Sequence, residues 1–252
     1  MEKRTAYFMS DAHLGLPLPE FDDREAALFS FLKEIAPRAG HLFIVGDLFD
    51  FWIEYRWAIR PDYFRVLAAL NTLVTAGTEI HYCAGNHDFA VGPFIKDHLG
   101  IHVHPDGCRV ALQGKRLFVT HGDELRHSDR CNLFLRKFLR NPVLQFSYRL
   151  LHPNIGVPLG EFFSRLSRKH FLEEPSEEQL EEYRQAAEEA LAAGCDIVVA
   201  AHTHVPELRH LPSGIYCNTG NWLSRYYFAM LEEGEISLCQ HLPGQPPKLV
   251  SR

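Results

Sequence analysis

Five short stretches of this 252-residue chain carry side chains able to bind metal ions. They are Asp11-Ala12-His13, Gly46-Asp47-Leu48-Phe49-Asp50, Gly85-Asn86-His87-Asp88, His121-Gly122-Asp123 and His202-Thr203-His204. A mixture of carboxylate, imidazole and amide donors suits Mn, Fe or Zn better than Mg or Ca, which prefer oxygen alone. Seven donors (Asp11, His13, Asp47, Asn86, His121, His202 and His204) exceed the four of one tetrahedral site, and a pair of metals sharing one carboxylate accommodates them. Two ions ~3.5–4 Å apart activate a shared water and clamp the attacking and leaving oxygens of a displacement at phosphorus. Phosphoester hydrolysis is therefore the expected chemistry. His87, next to Asn86, suits a general acid or a group stabilising phosphoryl charge, a role worth ~10²–10⁴-fold. Asp50 and Asp88 suit the task of orienting a donor His or Asn.

Each stretch follows a segment that reads as a buried strand, and Gly46 allows the backbone turn that lets Asp47 project from a strand end. Strands are predicted over 5–10, 41–47 and 80–84, alternating with helices begun by Asp22 or Asp23 and by Pro61. A hairpin follows across Gln113-Gly114, its second strand ending at His121. Residues 124–172 carry apolar side chains at helical spacing and read as a helical insertion. Ser176 and Gln179 form a capping box for a helix ending at Gly194, before a strand over 196–200 that leads to His202. The segment 215–218 and a hairpin across Glu233-Gly234 complete a sheet, and the residues around Pro243, Pro246 and Pro247 read as a tail. In open α/β sheets ligands gather beyond the carboxyl ends of strands, so the five groups are expected to converge.

Composition narrows the partners. A net charge of −6 argues against a general nucleic-acid binder. Six cysteines without a Cys-x-x-Cys pattern suggest neither disulfides nor a zinc knuckle, which fits a reducing cytoplasm. The first eight residues lack the apolar region of a signal peptide, and no run approaches the ~18 apolar residues of a membrane span, so any membrane contact is expected to be peripheral. Charge is unevenly spread. Residues 126–169 hold nine basic and two acidic residues, a balance of +7 against −13 elsewhere. Basic residues interleaved with aromatic ones directly after His121 suggest a lid for an anionic amphiphile or an anionic bilayer. Solvated helices packed on the domain are the plainer reading. The isolated His41, His98, His152 and His210 read as surface or packing residues; His102 and His104, away from any clear strand end, are left out of the site.

In order, Asp-x-His, Gly-Asp-x-x-Asp, Gly-Asn-His-Asp, His-Gly-Asp and His-x-His resemble the signature of the calcineurin-like metallophosphoesterases, over nearly the whole chain. The resemblance implies an α/β fold, an α/β/β/α sandwich of mixed β-sheets over a single domain, 1–252, with a helical lid insertion at about 124–172. It also implies that Asp11, His13 and His204 hold one metal, that Asn86, His121 and His202 hold the other, and that Asp47 bridges. Ala201 stands where the family has Gly. The stretch from Gly46 to Trp52, then His121-Gly122-Asp123 with Asp129 and the insertion, is similar to the UDP-2,3-diacylglucosamine pyrophosphatase branch of lipid A synthesis. That likeness implies two Mn²⁺ ions (Fe or Zn otherwise), a UDP-linked diacylated sugar cut to UMP and the lipid sugar phosphate, and substrate contacts from Trp52 and Asp129, to which Arg126 and Arg130 of the basic insertion are added as candidates. It further implies a cytoplasmic protein peripheral on the inner membrane, with no nucleic-acid or protein partner. Better-known members carry Arg in place of His87. Other readings are a phosphoesterase acting on a nucleotide, phosphoprotein or nucleic acid, and a non-catalytic metal-stabilised lipid-binding protein.

Overall fold

In Ala39–Val45, Leu42 and Ile44 face one way and Phe43 and Val45 the other, and all four are fully buried. A strand with both faces apolar belongs to a sheet covered on both sides. The computed structural model describes residues 4–16, 23–168 and 175–252. In chain order its elements are β1 (Thr5–Met9), α1 (Arg24–Ile35), β2 (Ala39–Val45), a 3₁₀ turn (Pro61–Tyr63) leading into α2 (Phe64–Thr75), β3 (Glu79–Cys83), α3 (Pro93–Leu99) and β4 (His102–His104). Then come β5 (Cys108–Leu112), β6 (Lys115–Val119), α4 (Arg130–Leu139), α5 (Pro142–Arg149), α6 (Pro153–Arg168) and α7 (Glu177–Ala192). The chain closes with β7 (Ile197–Ala200), β8 (Pro206–Leu211), β9 (Gly214–Thr219), β10 (Tyr227–Glu232), β11 (Glu235–Gln240) and β12 (Lys248–Ser251).

The strands form two mixed sheets, a seven-stranded one in the order β12-β11-β10-β1-β2-β3-β4 and a five-stranded one in the order β5-β6-β7-β9-β8. Phe8, Phe43 and Val45 of the first sheet pack against Leu117, Val119, Ile197 and Val199 of the second. The outer face of the first sheet, with Leu42, Ile44 and Tyr82, is covered by Leu28, Phe31 and Leu32 of α1 and Leu67 and Leu70 of α2. The outer face of the second, with Val198 and Ala200, meets Tyr183, Ala187 and Leu191 of α7. Four layers, helix-sheet-sheet-helix, are the result, as the resemblance implied.

Local chemistry explains most elements. Both expected hairpins turn through residues at positive φ, Gln113-Gly114 and Glu233-Gly234, the geometry of a two-residue hairpin turn. The capping box at Ser176 and Gln179 is formed in both directions. Asp23 sits at the start of α1 without a side-chain capping bond, and Asp22 lies outside the described residues. Other expectations need correcting. The 215–218 strand belongs to the second sheet and the last hairpin to the first. The proline-rich tail ends in β12, because backbone pairing with β11 (Cys239 with Leu249) needs no alternation of apolar residues. His102 and His104 lie on a strand, β4, whose three residues are too few to show periodicity.

Candidate metal centre

The loops after β1 and β2 are laced together by backbone bonds: Asp11 N–H to the Gly46 carbonyl (3.2 Å) and His13 N–H to the Asp47 carbonyl (3.0 Å). On the second sheet, Ala201 N–H bonds the His121 carbonyl (2.9 Å), joining the loops after β6 and β7. His202 N–H reaches Asp11 Oδ2 (3.4 Å) and so ties the two sheets at one end. All seven candidate donors are thereby gathered where the strand ends of both sheets meet.

Asp11, His13 and His204 lie together: His204 Nε2 is 3.1 Å and His13 Nε2 3.9 Å from Asp11 Oδ1. Asn86, His121 and His202 form a second group, with His121 Nε2 3.0 Å from Asn86 Oδ1 and 3.3 Å from His202 Nδ1. Asp47 touches both, its Oδ2 standing 4.0 Å from His13 Nε2 and 3.4 Å from His121 Nε2. The His121 Nδ1–H donates to the Val45 carbonyl (2.9 Å), which turns the Nε2 lone pair toward Asn86 and Asp47.

The backbone is held in an uncommon state here. Of eight described non-glycine residues at positive φ, five are Asp11, His13, Asp47, His202 and His204. Such conformations cost about 1–3 kcal/mol each and cluster at functional sites. Ala201 is not among them, so its replacement of the family glycine requires no strain. Two glycines are obligatory: a Cβ on Gly46 would lie 2.3 Å from His121 Nδ1, and one on Gly85 2.1 Å from Asp47 Oδ1.

The donor set fits divalent cations. His13 Nδ1 is buried without a hydrogen bond, and the Nε2 atoms of His13 and His204 face one another at 3.4 Å. Burial opposes ionisation of Asp47, but the imidazoles of His121 and His87 outweigh it and hold the carboxyl well below its usual range. Burial likewise opposes charge on His121, and Asp47 and Asp11 overcome it, raising that imidazole well above the usual value. His202 is pushed down to about 3 by burial and by His121. Ionised carboxylates are thus drawing protons onto neighbouring imidazoles, a demand for positive charge that a bound cation meets with release of those protons. Among the described residues, Asp11 with His13 and His204, and Asp47 with Asp11 and His121, are each close enough to share an ion.

The remaining predicted residues fall in varied places. His87 Nδ1 is 3.0 Å from both the Asp50 carbonyl and Ser164 Oγ, and its N–H donates to Asp47 Oδ1 (2.8 Å). Asp50 Oδ1 stands 3.8 Å from His13 Nδ1. Asp88 accepts from Gly85 N–H (2.8 Å), Leu48 N–H (2.9 Å) and Tyr82 Oη (2.5 Å), so it braces the backbone flanking Asn86 and Asp47. Trp52 is 1% exposed, stacked on Phe49 and bonded to Glu54, and offers no open face. Asp129 caps α4, accepting from Asn132 N–H (3.0 Å), with Arg126 3.5 Å away and Arg130 exposed.

Sequence reasoning missed three residues beside the centre. Ser164 joins α6 to His87; the signal for it is Gly156, Gly160 and Ser164, small residues four apart on one helix face, with Phe51 under Gly160. Arg136 Nε bonds the buried Asp123 (2.9 Å), and Arg140 reaches the Ala84 (3.3 Å) and Gly85 (3.4 Å) carbonyls. Both arginines point inward and pair with Asp106, so part of the basic balance anchors α4 instead of meeting solvent.

The four-layer sandwich with donors at its strand ends defines a metallophosphoesterase. A family model described as Calcineurin-like phosphoesterase matches residues 5–206. The chain belongs to that family, whose members use divalent metals, and it is a hydrolase. It is 30% identical over 239 residues to a UDP-2,3-diacylglucosamine hydrolase of Stenotrophomonas maltophilia, covering 92% of this chain and 93% of that protein. A second relative of that name, from Porphyromonas gingivalis, is 36% identical over 169 residues, 65% of this chain and 63% of its own length. The fold is shared with a Vps29 double mutant from Entamoeba histolytica, at a TM-score of 0.52 and 12% identity over 98% of this chain and 99% of that one.

Proposed function

We propose that this protein hydrolyses the pyrophosphate of UDP-2,3-diacylglucosamine to UMP and 2,3-diacylglucosamine 1-phosphate. The observation that carries this reading is the apolar face left uncovered beside the donor centre. Phe134, Val143, Phe146, Ile155 and Phe163 on α4, α5 and α6, and Leu150 just after α5, are each more than half exposed. Exposed apolar side chains gathered on consecutive helices suit an apolar ligand, and α6 reaches His87 through Ser164. The names of the relatives agree with a nucleotide-lipid substrate.

In this reading Asp11, His13 and His204 hold one divalent cation, Asn86, His121 and His202 the other, and Asp47 is shared, with Mn²⁺ the expected metal. Such a pair supplies an activated water and neutralises charge on the phosphoryl oxygens. The water gives up a proton to solvent as its oxygen bonds to the α-phosphorus, the bond to the bridging oxygen breaks, and that oxygen departs with the sugar phosphate. His87, held at Nδ1 by the Asp50 carbonyl and Ser164 Oγ, serves as general acid or stabilises charge on the phosphoryl oxygens. Asp50 orients His13, and Asp88 fixes the loops carrying Asn86 and Asp47. Arg126, Asp129 and Arg130 meet the UDP portion at the start of α4, which neighbours His202 through Tyr183. Trp52 acts through packing, by setting Glu54 and the strand end before it. Helices α4 to α6 serve as a lid for the acyl chains; residues 169–172 of the expected insertion lie outside the described residues. No described helix is long and apolar enough to cross a membrane, so contact with the inner membrane would be made by this same apolar face.

The test is turnover of the Mn²⁺-loaded protein on UDP-2,3-diacylglucosamine beside non-acylated UDP-sugars and an aryl phosphodiester. Strong preference for the acylated substrate is expected; preference for the non-acylated ones overturns the assignment.

A further inference from the structure

A second cluster of metal-competent side chains lies at the other end of the large sheet. Parallel pairing sets His41 of β2 against Glu79 of β3, and His81 of β3 against His102 of β4. His41 is six residues before Asp47, so this cluster is ~20 Å along the strand from the centre described above. The rings of His41, His102 and His104 all stack on His81, with centroids 5.8, 5.2 and 5.4 Å from it. Three imidazole nitrogens converge on the single Glu79 carboxylate: His81 Nε2 at 3.2 Å, and His102 Nε2 and His41 Nδ1 at 3.6 Å.

We propose that His41, Glu79 and His81, with His102 as the fourth ligand, form a separate Zn²⁺-class site that ties β2, β3 and β4 together. Protons do not explain the arrangement well. At 3.6 Å the His102 and His41 nitrogens are too far from the carboxylate for hydrogen bonds, and charging one of four stacked imidazoles penalises charging the next. His41 Nδ1 is buried and makes no hydrogen bond. His81 stays neutral down to about 3, because burial and then His104, His102 and His41 oppose its charge. Neutral imidazoles and an ionised carboxylate are the forms that bind a cation. His81 Nδ1 lies 3.1 Å from His104 Nε2, a contact that orients the ring with Nε2 toward Glu79. Three nitrogens and one oxygen favour Zn²⁺ in tetrahedral coordination over Mn²⁺ or Mg²⁺. Among the described residues His41, Glu79 and His81 place ligand atoms within 4.8 Å of one another. The site would stabilise β4, an edge strand of three residues paired only to β3.

The experiment uses the full chain saturated with Mn²⁺ and titrated with Zn²⁺, beside the Glu79→Gln and His41→Ala variants, whose side chains reach solvent. The unsubstituted chain is expected to take up one more Zn²⁺ equivalent than either variant and to gain Tm on Zn²⁺ addition. The variants should bind that equivalent at least about tenfold more weakly and keep Mn²⁺-supported hydrolysis of an aryl phosphodiester. Equal Zn²⁺ uptake and equal Tm shifts in all three overturn the site. Loss of the Mn²⁺-supported activity together with the Zn²⁺ equivalent also overturns it, by showing that the ion belongs to the other centre.

Discussion

Asp47 lies within 4 Å of ring nitrogens from both groups of histidines, which makes it the residue whose loss should affect both metals. For Asp47→Ala, kcat/KM is expected to fall by about 10³-fold or more, the several kcal/mol that metal-ion catalysis supplies. Elemental analysis should show depleted occupancy at both positions; full metal content would defeat the shared role. His87→Ala should behave differently. Metal content stays and kcat falls ~10²–10⁴-fold, the range of a positioned proton donor. Unchanged turnover on the natural substrate would remove His87 from the chemistry. Gly85→Ala tests backbone approach, since a Cβ there collides with Asp47 Oδ1. A loss of about 1–3 kcal/mol in chemical denaturation is expected, together with weaker metal retention.

At the scale of elements, what needs explaining is how α4, whose residues are nowhere fully buried, stays in place. Arg136 and Arg140, four apart and on one helix face, reach Asp123, Asp106 and the carbonyls before Asn86. Arg136→Ala leaves the fully buried Asp123 carboxylate without its closest cation. A cost on the order of 2–3 kcal/mol follows, below the ~3–5 kcal/mol of a wholly buried pair because Arg136 is partly exposed. Proteolysis within α4 should accelerate in this variant. Unaltered stability and cleavage would mean that packing alone holds the helix.

For the molecule as a whole, acid sensitivity should arise away from the metal centre as well as within it. His241 is buried beside Trp222 and Phe31, and neither ring nitrogen makes a hydrogen bond. Burial lowers its pKa, and Glu34 opposes this only in part. The folded protein therefore resists a proton that the unfolded chain accepts near pH 6.5. The stability contribution is present above that pH and is lost as pH falls through the lower, folded value. His241→Phe should flatten the decline in unfolding free energy between pH 7.5 and 5 without loss at pH 7.5; an unchanged slope would assign the acid sensitivity elsewhere.

Much of this was legible in the amino-acid order. Buried strands announce themselves by apolar runs, hairpins by Gln113-Gly114 and Glu233-Gly234, and a helix start by Ser176 and Gln179, because each signal arises from neighbours in sequence. The candidate donors stood out as well, since a polar residue after an apolar run is conspicuous. Elements whose reasons are tertiary were hidden: β4 and β12 exist because an adjacent strand offers backbone partners, whatever their own pattern. What the sequence by itself determined is the donor inventory and the strands that carry it. Only the tertiary structure decided that Asp47 stands between both groups, that five donors sit at positive φ, that Arg136 and Arg140 turn inward, and that His41 and His81 share Glu79. Each of these depends on distances across two sheets, where residues up to about 190 positions apart meet because burial of both sheet faces leaves them no other place.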